Sequence, residues 1–186
     1  GTLNIDEFLR FALKPLSEHP RLTLEAWRRE FLDALIVPIM LPAAKKLIAK
    51  HRERGDTIMI ITATNAFVTR PISDLYGIEH LLATEPEMEN DRYTGLYVGT
   101  PCFQAGKVER LNRWLEQTGA SLKGSWFYSD SHNDLPLLEQ VDHPVAVDPD
   151  ESLRERANGE GWPVITLRGD SESVNPFLEL LVDARC

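Results

Sequence analysis

The chain has 186 residues, 42% of them apolar and 26% charged, and its 20 Lys plus Arg against 29 Asp plus Glu give a formal net charge of −9. That composition suits one globular domain, or one with a small appendage, and excludes collagen-like, mucin-like and wholly disordered chains. The acidic balance repels nucleic-acid backbones and anionic membranes, and the longest apolar run, Ala34 to Leu41, is eight residues long and contains Pro38, against the roughly 20 that a spanning helix needs.

The two cysteines, Cys102 and Cys186, stand far apart, and the five histidines have no close metal-ligand spacing. This is neither a disulfide framework nor a zinc knuckle, and it fits a reducing cytoplasm. No basic segment followed by an apolar one opens the chain, so no secretory leader is expected. The chain starts at Gly1, without a methionine, and reaches a helix start almost at once. The expectation is that the natural beginning lies upstream.

Asn4 with Glu7 reads as a capping box for a first helix, apolar at Phe8, Leu9, Phe11, Ala12 and Leu13 and ended by Pro15. Thr23 is read as the cap of a second helix, with Leu24, Trp27, Phe31, Ala34 and Leu35 on its inward face before Pro38. Pro42 opens a third, with a basic last turn and Gly55 as its stop. The texture then changes. Thr57 to Ile61 is a short β-branched run, the signature of a buried parallel strand. A helix follows over Thr69 to Tyr76, then strands at Leu81 to Ala83 and Tyr93 to Val98, joined by a polar turn at 89–92. Gly106 to Thr118 is an amphipathic helix and Ser125 to Tyr128 a strand. After them come a helix at Leu135 to Val141, a strand at Val145 to Val147, a helix at Glu151 to Asn158 and a strand at Val164 to Leu167. A polar link beyond Ser171 leads to a last helix around Phe177, Leu178, Leu180 and Leu181. Strands alternating with helices predict an α/β fold with a parallel sheet.

Ligands of such sheets bind beyond the carboxyl ends of the strands. The first strand runs out into Thr62-Ala63-Thr64, where a hydroxyl and free backbone N–H groups can hold an oxyanion, although capping a turn is the plainer job for Thr62. The strand ending at Tyr128 leads into Ser129-Asp130-Ser131-His132-Asn133-Asp134, whose carboxylates, four residues apart, are hard oxygen ligands suited to Mg²⁺. The alternative is an acidic loop in which Asp134 only caps the next helix. Lys107 opens an amphipathic helix, where the macrodipole favours negative charge; a substrate anion would explain it, and a solvated surface lysine is the other reading.

Hydroxyl, ammonium and metal-binding carboxylates, in that order, are the parts of phosphoryl chemistry apart from a nucleophile. In order and spacing the sequence resembles the haloacid dehalogenase (HAD) superfamily of phosphatases, in its phosphoserine-phosphatase-like branch (subfamily IB). Ile58 to Thr64 resembles the second motif, Lys107 falls at the third-motif lysine, Ser129 to Glu139 resembles the fourth motif, and Val145 to Ala157 the strand-loop-helix that follows. The resemblance implies a Rossmann-like core over residues 42–170, a helical cap over 1–41 and a tail helix over 171–186. It implies a Mg²⁺-dependent phosphomonoesterase acting on a small phosphorylated metabolite. Asp130 would ligate the metal, and Asp134 would act through water or by orienting Lys107. Thr62, the N–H of Ala63 and Asn133 would contact phosphate, and Lys107 would neutralise charge.

The chain departs from the pattern in one place. The family's nucleophile is the first Asp of an Asp-x-Asp at the end of a strand upstream of the cap, and none precedes Gly1. The Asp-x-Asp present, Asp148-Pro149-Asp150, follows the fourth motif. Arg10 also stands out of register with the arginine that grips a phosphoserine carboxylate. Two readings follow: an enzyme whose first strand lies upstream, or a catalytically inactive phosphate-binding or regulatory module. Either way the chain as given should lack a central strand and associate through the exposed sheet edge.

Overall fold

The computed structural model describes residues 4–169 and 174–183. Cys186 and most of the expected polar link lie outside the described residues. The chain divides into two compact units, one of residues 1–39 and 59–111, the other of residues 40–58 and 112–186.

In the first unit, α1 (Ile5–Glu18) is capped by the Asn4 side chain, which accepts from the N–H groups of Asp6 and Glu7. Pro15 lies inside this helix rather than ending it. It costs one backbone hydrogen bond, but Leu16 beyond it is buried with Leu9 and Leu13, and that packing carries the helix through its last turn. The second helix, α2 (Arg21–Phe31), starts at Pro20 and not at Thr23, and it runs on through a π-helical turn, Leu32–Ile36. Of its expected inward face only Leu24 is buried; Trp27, Phe31 and Leu35 are 50%, 38% and 59% exposed. The period was right and the burial was not.

The sheet of this unit has the order β1 (Met59–Asn65), β2 (His80–Glu89), β3 (Arg92–Val98). Strands β1 and β2 are parallel, and α4 (Ala66–Leu75) crosses between them, starting three residues earlier than Thr69 because Asn65 caps it by accepting from Val68 N–H. Strands β2 and β3 form an antiparallel hairpin whose turn places Asn90 at φ 48° and Asp91 at φ 62°, the geometry of a primed turn. Helix α1 packs on β3, closely at Gly95 (φ 85°), where a Cβ would stand 3.0 Å from Ser17 Oγ. The last helix of this unit is α5 (Ala105–Thr118), whose second half belongs to the other unit.

The second unit is a parallel sheet, β4 (Trp126–Ser129), β5 (His143–Val147), β6 (Val164–Ile165), with helices on both faces. Side chains alternate along the strands. Trp126, Tyr128 and Val145 pack with α3 (Pro42–Arg54) and α8 (Asn175–Asp183), whereas Phe127 and Ala146 pack with α6 (Leu135–Leu138) and α7 (Glu151–Glu160). Helix α3 ends as expected at Gly55, in the left-handed conformation that glycine adopts at no steric cost. Among the described residues, β1 is paired only with β2 and β4 only with β5. No described helix is long and apolar enough to cross a membrane.

Candidate active site

Each unit carries part of the predicted set. In the first, the pairing of β1 with β2 runs through Ile61↔Leu82 and resumes only at Asn65↔Thr84. Thr62, Ala63 and Thr64 form the irregular stretch between, so their backbone leaves the ladder where an oxyanion was expected to sit. Thr62 Oγ1 accepts from Thr64 N–H at 3.2 Å, the turn role weighed for it. Behind the stretch, buried Thr84 donates to Ala63 O at 3.4 Å and accepts from Cys102 N–H at 3.0 Å. One hydroxyl thus links the stretch to the segment that enters α5. Lys107, in the first turn of α5, is only 7% exposed, so the solvated-surface reading fails. A buried ammonium is retained only where acceptors or negative charge answer it. Gly106, just before it, makes room for the Pro101 carbonyl, which a Cβ there would overlap.

In the second unit the loop after β4 brings Asp130, Asn133 and Asp134 together. Asp134 is buried, and Ser129 Oγ donates to its Oδ2 at 2.7 Å. Although Asp134 precedes α6, its side chain makes no capping hydrogen bond; the helix-cap alternative is therefore not the use the fold makes of it. Ser129 Oγ also accepts from Ser131 N–H, and Ser131 Oγ accepts from Asn133 at both N and Nδ2. The Asp130 carboxylate is exposed and has no hydrogen-bond or ion-pair partner among the described residues. Its main-chain carbonyl accepts from Asp150 N–H at 2.8 Å. Burial pushes the Asp150 carboxyl upward, but the N–H groups of His132 and Leu153 and the His132 ring together hold it below the usual value.

A free carboxylate on a fixed loop fits a hard cation such as Mg²⁺, which takes one or two carboxylates and fills its other positions with water and phosphate. No cluster of three metal-ligating side chains stands among the described residues. A groove of about 370 Å³ between α3 and α8 contains none of these residues.

Strand β4 is anchored on its other face. The Asp56 carboxylate accepts from His51 Nδ1 at 2.7 Å, which leaves His51 Nε2 to accept from Tyr128 OH, also at 2.7 Å. Burial lowers the His51 pKa, with Asp56 pulling the other way, and burial raises that of Tyr128 far above its ordinary value. Both groups are neutral near pH 7.

Residues 1–139 match the family profile of haloacid dehalogenase-like hydrolases. The chain belongs to that family. A histidinol-phosphatase of Neisseria meningitidis serogroup C is 42% identical over 172 residues, covering 90% of this chain and 78% of that protein. The crystal structure of a Bordetella pertussis protein with unknown function is 44% identical, with a TM-score of 0.86 over 90% of this chain and 76% of that one. A phospho-aspartyl intermediate analogue of phosphoserine phosphatase shares the fold, with a TM-score of 0.66 at 18% identity over 94% of this chain and 78% of that one. The chain spans about half the length of its mycobacterial relatives, 47% of a probable phosphatase of Mycobacterium tuberculosis. In this HAD-like hydrolase the motif reading passed over Ser129 and Asp150, which hold the acidic loop. Asp150 was visible as an N-cap before Glu151, but its reach to residues 130 and 132 was not.

Proposed function

We propose that the protein is a Mg²⁺-dependent phosphomonoester hydrolase acting on a small phosphorylated metabolite through an aspartyl-phosphate, with the nucleophilic Asp upstream of Gly1 in the natural protein. The unpartnered Asp130 carboxylate on a loop fixed by hydrogen bonds carries this reading. Asp130 holds Mg²⁺, and Asp134, already committed to the Ser129 hydroxyl, acts on it through water. The metal, when bound, supplies positive charge that offsets the developing charge on phosphoryl oxygens. Thr62, the N–H of Ala63 and Asn133 orient phosphate oxygens, and the Lys107 ammonium offsets the charge that phosphate and nucleophile bring together. The upstream carboxylate attacks phosphorus as the ester P–O bond breaks and the alcohol leaves; water then cleaves the acyl phosphate, returning the carboxylate and phosphate.

Histidinol phosphate is the first substrate to test, because the relative at 42% identity is a histidinol-phosphatase; phosphoserine is second. A reducing compartment, the cytoplasm, suits the buried thiol of Cys102, which forms no disulfide. The test is an assay of the full-length protein with both substrates and an aryl phosphate, with and without Mg²⁺. Mg²⁺-dependent release of phosphate is expected, fastest from histidinol phosphate. Phosphate binding without turnover would favour the inactive binding module, and turnover undiminished by a chelator would remove the metal from the mechanism.

A further inference from the structure

The sequence DPD at 148–150 stands outside the family's nucleophile position, and the fold gives it other work. Asp148 adopts φ 44°, a left-handed conformation that aspartate tolerates better than most residues. Its carboxylate accepts from Thr166 Oγ1 at 2.6 Å and Leu167 N–H at 3.1 Å, which ties the turn to the end of β6. Pro149 is buried and fixes the next φ. Asp150 then divides its two oxygens. Oδ1 accepts from Leu153 N–H at 2.8 Å and so caps α7. Oδ2 takes no part in α7; it accepts from His132 N–H at 2.8 Å, at the start of the 3-10 turn His132–Asp134, and from His132 Nδ1 at 2.9 Å. Its own N–H donates to Asp130 O at 2.8 Å. The residue on either side of Ser131 is thereby gripped by one aspartate whose own position is fixed from β6 and α7.

A helix cap needs one oxygen and makes no use of the second. We propose that Asp150 is a positioning residue for the metal: it holds the backbone of residues 130–132 so that the Asp130 carboxylate meets Mg²⁺ without first ordering its loop, His132 being the handle it grips. This rests on the Mg²⁺-dependent reading above. Asp130 has no side-chain partner among the described residues, so its orientation depends on its main chain, which the Asp150 N–H reaches from the start of α7.

The test is Asp150→Ser in the full-length protein. The serine hydroxyl keeps an acceptor for Leu153 N–H and removes the oxygen that grips His132. Calorimetric titration with Mg²⁺ should show affinity about tenfold weaker, the size typical of outer-shell changes, with a melting temperature close to that of the parent. The half-saturating Mg²⁺ concentration for aryl phosphate turnover should rise in step. KM for the ester at saturating Mg²⁺ should stay within about twofold, and turnover should recover as Mg²⁺ is raised. A folded variant with unchanged Mg²⁺ affinity would reduce Asp150 to a helix cap and overturn the proposal, as would a loss that no Mg²⁺ concentration rescues. Should that variant fail to fold, His132→Ala decides, because it leaves the cap intact and removes only the ring contact. A smaller loss of Mg²⁺ affinity, about threefold, supports the proposal, and no loss overturns it. Parent protein that neither binds Mg²⁺ nor turns over would sink the phosphatase reading and this proposal with it, whereas tight parent binding with an equally tight Asp150→Ser variant sinks the Asp150 assignment alone.

Discussion

The loop after β4 and the irregular stretch at the end of β1 are built on opposite plans. Around residues 129–134, side chains are hydrogen-bonded at nearly every step: Ser129 Oγ donates to the Asp134 carboxylate and accepts from Ser131 N–H, Ser131 Oγ accepts from Asn133 N–H, and Asp150 Oδ2 accepts from His132 N–H. At 62–64 the side-chain bonds include the local Thr62 turn and the reach of Thr84 to Ala63 O. The proposed function accounts for the difference by what each segment would hold. A small hard cation needs oxygen donors at set distances, so the carboxylate-bearing loop is fixed in advance. An oxyanion is held by backbone N–H groups, and these serve only if the ladder leaves them unpaired.

The sharpest way to break this comparison is Asp130→Asn. If the loop after β4 is arranged around a carboxylate with no internal partner, full-length variant protein should keep its melting temperature. Its Mg²⁺-dependent turnover should fall by more than the roughly 10–100-fold that outer-shell changes cost. Activity undiminished at low Mg²⁺ would show that the loop is rigid for another reason.

Lys107→Met tests the other unit. Met keeps the length of the stem and removes the charge, so circular dichroism should report an intact fold while turnover drops about 100-fold or more. A loss of only a few-fold would make buried Lys107 a structural residue, and the charge at the phosphate would have to come from elsewhere.

The contrast also explains what could be read in the sequence. Strands β1, β4 and β5 were legible because each carries a short continuous apolar run, and Gly55 and Asn4 mark helix ends by local chemistry alone. The acidic loop was legible because Asp130 and Asp134 follow such a strand directly. The supports were not. The grip of Asp150 on His132 spans 18 residues and the reach of Thr84 to Ala63 spans 21, and each depends on which strands lie side by side. Pro15 and the face of α2 misled for a related reason: neighbours decide whether a helix tolerates a proline or buries an apolar stripe. In α1 they kept the helix intact past Pro15; in the first unit they left Trp27 and Leu35 half-exposed.

A smaller effect separates the two faces of β4. His51 is held neutral by burial, its pKa below the ordinary 6.5. An unfolded chain takes up that proton at a higher pH than the folded one. The contribution is therefore complete above about pH 6.5 and is lost as pH falls from there toward the depressed folded value. Melting temperature should decline between pH 7 and pH 5.5 in the parent, and the decline should be shallower in His51→Gln. Asp150 acts in a separate window, because its lowered pKa gives stability that is lost only as pH falls below about 3.8. Parallel pH profiles for parent and His51→Gln would remove His51 from the account.

The smallest effect expected is a gain. Gly159 lies inside α7, the helix that Asp150 caps, and a Cβ there meets nothing within 4 Å. It has no positive φ to preserve, unlike Gly161 at the helix end, φ 71°. Glycine in a helix interior costs about 0.5–1 kcal/mol relative to alanine through the freedom of the unfolded chain. Gly159→Ala should therefore raise stability by about that amount in a denaturant titration, with the slope unchanged. Its bearing on the comparison is specific. Firming α7 firms the base from which Asp150 holds residues 130–132, while Thr62 and Lys107 belong to the other unit. Mg²⁺ affinity should hold or tighten slightly, and KM for the phosphate ester should not move. A stabilised variant that bound Mg²⁺ more weakly would mean that the loop needs motion in α7 to accept the metal, and that its hydrogen bonds describe a state that must open before it binds.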